Sequence, residues 1–313
     1  MNIFTEILYK KYSQNIAIEK KIVEKKSLYQ NILIFDSKYF GRVMTLDKVI
    51  QITEYDHHGY SEMLSHVPIL SHGKIKKVLI IGGGDGAIAA EVLKHKEIEE
   101  ILICEIDEEV IDLSKIYLKK INKGCLNNSR VNIIIQDASK LIANKELKNY
   151  FDLIITDRPD PIGPGKNLFT IKFYEGIKNI LSEKGIVVFQ TGVPFFQKKE
   201  LKKTNLYLKN IFKFSGTYLT VVPTYIGGYM ALTWASKQTD MAIDKTLTKL
   251  MESRSRNLSN EEANQTIRLL NEEFLISGSL LKTLNAEFIA DFVGKELDLV
   301  TQKENQSDSE EFR

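Results

Sequence analysis

The stretch VLIIGGGDGAIAAEV, Val78 to Val92, decides the fold. An apolar run enters a cluster of glycines broken only by Asp85, and a helical pattern leaves it. A strand, a glycine turn and a helix in that order form the first βα unit of a nucleotide-binding sheet. Around it the pattern repeats. KKVLIIG, EILICEID, RVNIIIQD, FDLIITD and GIVVFQT are short, continuously apolar runs separated by amphipathic stretches. Strands buried on both faces read in this way, and βαβα alternation predicts a parallel sheet covered on both sides, a doubly wound α/β fold. GTYLTVVPTYIGGYMALTWAS adds two further strands about Gly227 and Gly228.

Upstream, Ile16 to about Thr53 alternates with period two between turn residues, predicting a small N-terminal antiparallel β domain. YSEMLSHVPILSHG reads as a junction helix ended by Gly73. The expected organisation is an N-terminal β domain with its junction helix over 1–72 and a catalytic α/β domain over 73–245. A helical extension over 246–300 and a disordered polar tail over 301–313 follow. The 43 lysines and arginines nearly balance the 41 aspartates and glutamates, so no charge footprint for nucleic acid or an anionic membrane exists. No run is long and apolar enough to cross a bilayer, and the start lacks a secretory layout, which points to the cytoplasm. Two cysteines, Cys104 and Cys125, have no metal-type spacing and are expected as thiols.

Ligands of doubly wound sheets bind beyond the carboxyl ends of the strands, where strand order reverses. Gly82, Gly84 and Ala87 satisfy a loose dinucleotide pattern, and Glu105 ends the next strand where an acid binds ribose hydroxyls. That pattern alone fits nicotinamide and adenosyl-sulfonium enzymes equally. Asp85 would repel a pyrophosphate and attract an amine or sulfonium; it also reads as a cap for the following helix. IITDRPDPIGPG closes the fourth strand with Asp157 and Asp160, two further acids at the same sheet edge. Carboxylates gathered there describe a site for a polyamine.

GRVMTLDKVIQITEYD, YSEMLSHVPIL, VLIIGGGDGA, EID, DPIGPGKNLFTIKFYEG and VPTYIGGYMALTWA together resemble the polyamine aminopropyltransferases, the spermidine synthase family in its bacterial form, over roughly residues 1–240. The resemblance implies a methyltransferase-like Rossmann sheet and transfer of an aminopropyl group from decarboxylated S-adenosylmethionine to an amine such as putrescine. The products would be a spermidine-type amine and methylthioadenosine. By that resemblance Glu105 holds the ribose, Asp137 and Ala138 contact the adenine, Gln30 and Pro164 line the nucleoside pocket, and Asp85 binds the amine of the aminopropyl arm. Asp157 is the proton acceptor, Tyr60 and Tyr225 flank the attacking nitrogen, and Gln51, Ser61 and Asp160 help anchor the acceptor. The sulfonium is a co-substrate, not a resident cofactor, and a homodimer or homotetramer is implied. Tyr60 and Tyr225 also read as core aromatics.

The pattern is broken in places. Lys48 stands where the family has glycine, His57 where it has glutamate, Ser61 where it has histidine or glutamine, Ala90 where it has arginine, and Ala138 where it has glycine. Arg158 and Pro159 fill the middle of an Asp-Ser-Ser-Asp or Asp-Cys-Thr-Asp segment, and a C-terminal pattern of the bacterial enzymes is missing from 274–295. Arg158 admits two readings: partner for a carboxylate on the acceptor, or a side chain turned away toward a surface acid. Three alternatives stand beside aminopropyl transfer. These are an amine N-methyltransferase using intact S-adenosylmethionine, a non-catalytic polyamine binder and, more distantly, a nicotinamide dehydrogenase. The five histidines show no paired helical spacing for a metal, and none is expected.

Overall fold

A computed structural model describes residues 2–9, 12–159 and 163–241. The expected C-terminal helices and polar tail lie outside the described residues. The chain opens with a hairpin of β1 (Asn2–Tyr9) and β2 (Tyr12–Ile18). This hairpin lies mostly before Ile16, where the period-two pattern starts, because EILYKKY does not alternate cleanly. A four-stranded antiparallel sheet follows in the order β3 (Lys20–Lys26), β4 (Asn31–Ser37), β5 (Gly41–Leu46), β6 (Val49–Thr53). The β5–β6 turn places Asp47 and Lys48 at φ 47° and 64°. Two successive left-handed residues make the tight hairpin turn that favours glycine, which accounts for the family's glycine at position 48.

Helix α1 (His57–His72) runs through Pro68 and ends at Gly73, whose φ of 74° closes it with an N–H to the Ile69 carbonyl at 2.8 Å. Although the sequence attaches α1 to the N-terminal unit, Leu64, Val67 and Ile69 pack with Val78, Ile80, Ile155 and Leu232 of the large sheet. That sheet takes β7 (Lys77–Gly82), helix α2 (Ala87–Val92), β8 (Glu100–Glu105), helices α3 (Glu108–Tyr117) and α4 (Lys119–Asn122), then β9 (Val131–Ile135) and α5 (Ala138–Leu141). Next come β10 (Phe151–Asp157), α6 (Ile171–Ile180), β11 (Leu181–Gln190), α7 (Lys198–Ile211), β12 (Phe214–Val221) and β13 (Tyr229–Ser236).

Its seven strands lie in the order β12-β13-β11-β10-β7-β8-β9, with β13 antiparallel to both neighbours and the remaining pairs parallel. This is the expected doubly wound sheet, and the one reversed strand lies inside the edge strand β12. Alternate residues of β7 face opposite layers. Val78 and Ile80 meet α1, whereas Leu79 and Ile81 meet Phe173, Tyr174 and Ile177 of α6. Strand order reverses between β7 and β10, and Gly82 and Asp157 are paired across that boundary. The cleft therefore opens at the carboxyl ends of these two strands.

Candidate active site

The glycine loop holds its shape because two acids crowd it. A Cβ on Gly82, at φ 79°, would stand 2.1 Å from the Asp157 carbonyl oxygen. On Gly84 it would stand 2.9 Å from Glu105 Oε2 and from Val110. No side chain fits at either place, so the backbone passes close enough to set Asp85, Glu105 and Asp157 around one cleft.

Asp85 stands one residue before the Gly86 cap of α2, its Oδ1 accepting from the first helical N–H, that of Ala87, at 2.7 Å. Capping and cation attraction are compatible, since one carboxylate oxygen serves the backbone. Burial raises the pKa of Asp85. Glu105 accepts from the N–H groups of Ile106 and Asp107 at 2.7 and 3.0 Å. Burial outweighs those two bonds and, with the charges of Asp107 and Asp85, pushes it up to about 7. Asp157 is likewise pushed up to about 7 by burial and by the charges of Asp85 and Glu105, against a hydrogen bond from Tyr60 that lowers it. Like charges confined in a dry cleft resist ionising together, and a cation entering the cleft relieves them.

Tyr60 comes from α1 and donates to Asp157 Oδ1 at 2.5 Å. Tyr225 comes from the β12–β13 turn, donates to the Gln51 carbonyl at 2.7 Å, and meets the Tyr60 ring edge-to-face at 5.9 Å. Burial, followed by the charge of Asp157, raises both phenols; each is an uncharged donor at neutral pH. Both are therefore more than core aromatics. Gln51 contributes its carbonyl, while its amide turns back to Val49 at 3.1 Å. Gln30 reaches from the N-terminal sheet to Asp107 Oδ2 at 2.9 Å, and Asp137 caps α5 through the Ser139 N–H at 2.7 Å, beside buried Ala138.

Two of the expected site side chains make contacts inside the protein. Ser61 is fully buried and donates its hydroxyl to the His57 carbonyl, one turn back, at 2.8 Å; that proton is not offered to an acceptor. Arg158 turns away from Asp157, as successive strand residues do, and among the described residues no acid partners it. It is 2% exposed and donates to the carbonyls of Gln190 and Leu168 at 3.1 and 2.6 Å and to the Tyr174 hydroxyl at 3.0 Å, with the Phe169 ring 3.7 Å away. The guanidinium is a core element of the α6 layer, its Nε and Nη1 spent on partners inside the fold. Asp160 and the side chain of Pro164 lie outside the described residues.

Two positioning residues were not singled out from the sequence. Asp56 is 1% exposed and accepts from both the N–H and the hydroxyl of Thr224 at 2.7 Å. It thus ties the start of α1, which carries Tyr60, to the turn that carries Tyr225. An aspartate before a helix reads as a cap, and this one makes no cap bond. Asp107, the last residue of the EID segment, collects Ser27 and Gln30 and caps α3.

A family model described as spermine/spermidine synthase domain matches residues 57–245, and one described as spermidine synthase tetramerisation domain matches 3–54. The polyamine aminopropyltransferase of Ruegeria sp. (strain TM1040) is 46% identical over 235 residues, covering 75% of this chain and 82% of its own. That of Buchnera aphidicola subsp. Acyrthosiphon pisum (strain Tuc7) is 47% identical over 231 residues, covering 74% and 80%. Among solved structures, a spermidine synthase in complex with the transition state analogue AdoDATO is 33% identical with a TM-score of 0.80, covering 95% of both chains. Spermidine synthase from Thermotoga maritima is 32% identical with a TM-score of 0.79, covering 96% and 95%. With its acids, tyrosines and glycine loop gathered in one cleft, the chain belongs to the spermine/spermidine synthase family.

Proposed function

We infer that this protein transfers the aminopropyl group of decarboxylated S-adenosylmethionine to an amine such as putrescine. The observation that carries the reading is Asp157, held at about 7 beside Asp85 and Glu105 and bonded to Tyr60. An alkylammonium with a pKa near 10 has no lone pair with which to attack carbon. Asp157 as carboxylate takes one proton from it. The freed nitrogen attacks the carbon next to the sulfonium, the C–N bond forms, and the C–S electron pair leaves on a neutral thioether. The positive charge of the sulfonium passes to the new secondary ammonium, and the proton taken first stays on Asp157. Alignment of nitrogen, carbon and sulfur supplies much of the acceleration.

Glu105 Oε2 is the oxygen available to ribose hydroxyls, Asp137 and Ala138 face the adenine, and Gln30 with Pro164 closes the nucleoside pocket. Asp85 receives the amine of the aminopropyl arm. Tyr60, Tyr225, the Gln51 carbonyl and Asp160 surround the acceptor. That Arg158 spends its Nε and Nη1 inside the core supports a diamine acceptor without a carboxylate. The molecule works as a homodimer or homotetramer, with Ile3, Ile7 and Tyr12 exposed on the N-terminal hairpin, and in the cytoplasm, consistent with two free cysteines. Among the described residues no helix is long and apolar enough to cross a membrane.

Asp157→Asn is expected to lower turnover by roughly 10²–10⁴-fold, the usual contribution of a general base, while nucleoside binding persists by calorimetry. Mass spectrometry of the products should show methylthioadenosine and a lengthened amine. Turnover of intact S-adenosylmethionine to S-adenosylhomocysteine, with none of the decarboxylated donor, would sink the reading.

A further inference from the structure

Away from the cleft, α1 and α2 share a second group of charged side chains. His58 and Glu62 stand four residues apart on α1 and so face the same way; Glu91 faces them from α2. One nitrogen of His58 and one oxygen from each carboxylate lie within 4.8 Å of one another, and among the described residues this is the one such group. Glu62 is 0% and Glu91 1% exposed. Two carboxylates placed together out of water require a cation between them or beside them. Lys94 and His66 reach Glu91 at 2.5 and 3.0 Å, and both contacts fall on Oε2. His66 in turn meets His95 at 2.8 Å. His57, an acid in the family pattern, lies against His58 with ring centroids 3.7 Å apart and planes tilted by 42°, and Ala90 removes the family's arginine from beside Glu91.

We propose that His58, Glu62 and Glu91 bind a divalent transition ion, Zn²⁺ by preference, that ties α1 to α2. Ligand atoms about 2.0–2.2 Å from a common tetrahedral zinc lie roughly 3.3–3.6 Å apart, so side-chain adjustments on the order of 1 Å close the site. One imidazole and two carboxylates suit zinc, which they hold more tightly than manganese or ferrous iron. Oε1 of Glu91 is the oxygen for the ion, and His66 on Oε2 is the outer partner that orients a ligating group. His58 is half-buried and gives the ion a way in from solvent. Histidine spacing alone conceals the set, because it joins one histidine to two glutamates from different helices. The role is structural: α1 carries Tyr60 and α2 leaves the glycine loop, so the ion braces two walls of the catalytic cleft without touching the substrates. The site stands independently of the reaction assigned to that cleft.

The test is titration of chelator-treated full-length protein with Co²⁺, followed by visible ligand-field absorption, then displacement by Zn²⁺. Wild type should take up one Co²⁺ per chain, released by one equivalent of Zn²⁺. His58→Ala and Glu62→Gln should each weaken binding at least tenfold, whereas His72→Ala, at the far end of α1, should not. Saturating Zn²⁺ should raise the melting temperature of wild type by several degrees and leave that of His58→Ala unmoved, a readout that holds even if Glu62→Gln folds poorly. Uptake below about 0.1 equivalent by wild type, or binding and melting shifts that persist in His58→Ala, overturns the proposal.

Discussion

At the residue scale the site depends on one hydrogen bond. Tyr60 donates to the carboxylate that must stay basic, and in doing so lowers a pKa that burial and two neighbouring acids have raised. Removing the phenol hydroxyl in Tyr60→Phe therefore moves the Asp157 pKa further up. The acid limb of kcat/KM against pH, expected near 7 in wild type, should shift to higher pH, with activity near pH 9 recovering more of the wild-type value than activity near pH 7. A uniform loss across pH would mean that Tyr60 acts only in binding. Arg158 makes the opposite point. Its three hydrogen bonds and stacked rings lie in the α6 layer, so Arg158→Ser, a residue the family uses there, leaves carbonyls unpaired and a void. Stability should drop by about 2–4 kcal/mol in denaturant melts. The preference for putrescine over ornithine or diaminobutyrate, measured on the folded fraction, should not change; a gain in putrescine preference would return the guanidinium to the acceptor site.

At the scale of elements, legibility in the sequence followed how local the cause was. The strands of the large sheet were readable because burial on both faces leaves uninterrupted apolar runs such as VLII and LIIT, and the glycine loop because backbone crowding excludes side chains. The acids at strand ends were readable as types in places. The β1 strand was not, since its register depends on pairing with β2 and not on its own pattern. Nor were the partners of Arg158, Ser61 and Asp56, because their contacts cross from one layer to another. The turn between β5 and β6 offers a local test. Lys48 sits at φ 64°, a conformation that a side chain disfavours by roughly 1–2 kcal/mol. Lys48→Gly relieves that strain but frees the unfolded chain, so a net gain of about 0.5–1 kcal/mol is expected from denaturant midpoints. A loss would show that the lysine side chain contributes contacts that outweigh its backbone strain.

At the scale of the whole molecule the cleft opposes the stability of the fold that builds it. Asp157 and Glu105 both have folded pKa values near 7, well above ordinary carboxylates, chiefly through burial and then through neighbouring acids, Asp85 and Glu105 for Asp157 and Asp107 and Asp85 for Glu105. A group whose pKa is raised on folding stabilises the native state fully below its unfolded pKa, near 4, and that contribution is lost as pH rises through about 7. The ligand-free protein should therefore melt progressively lower between pH 5 and pH 8. Asp157→Asn removes one of the three charges that must be buried, so the variant should match or fall below wild type at pH 5 and exceed it at pH 8, although it turns over poorly. Spermidine, a cationic ligand, should raise the wild-type melting temperature more at pH 8, where the carboxylates need a partner, than at pH 6, and its binding near pH 7 should release protons detectable by calorimetry in buffers of different ionisation heat. A melting difference between wild type and Asp157→Asn that stays constant from pH 5 to pH 8 would show that the acids do not share a dry, mutually repelling cleft, and the catalytic role of Asp157 would lose its physical basis.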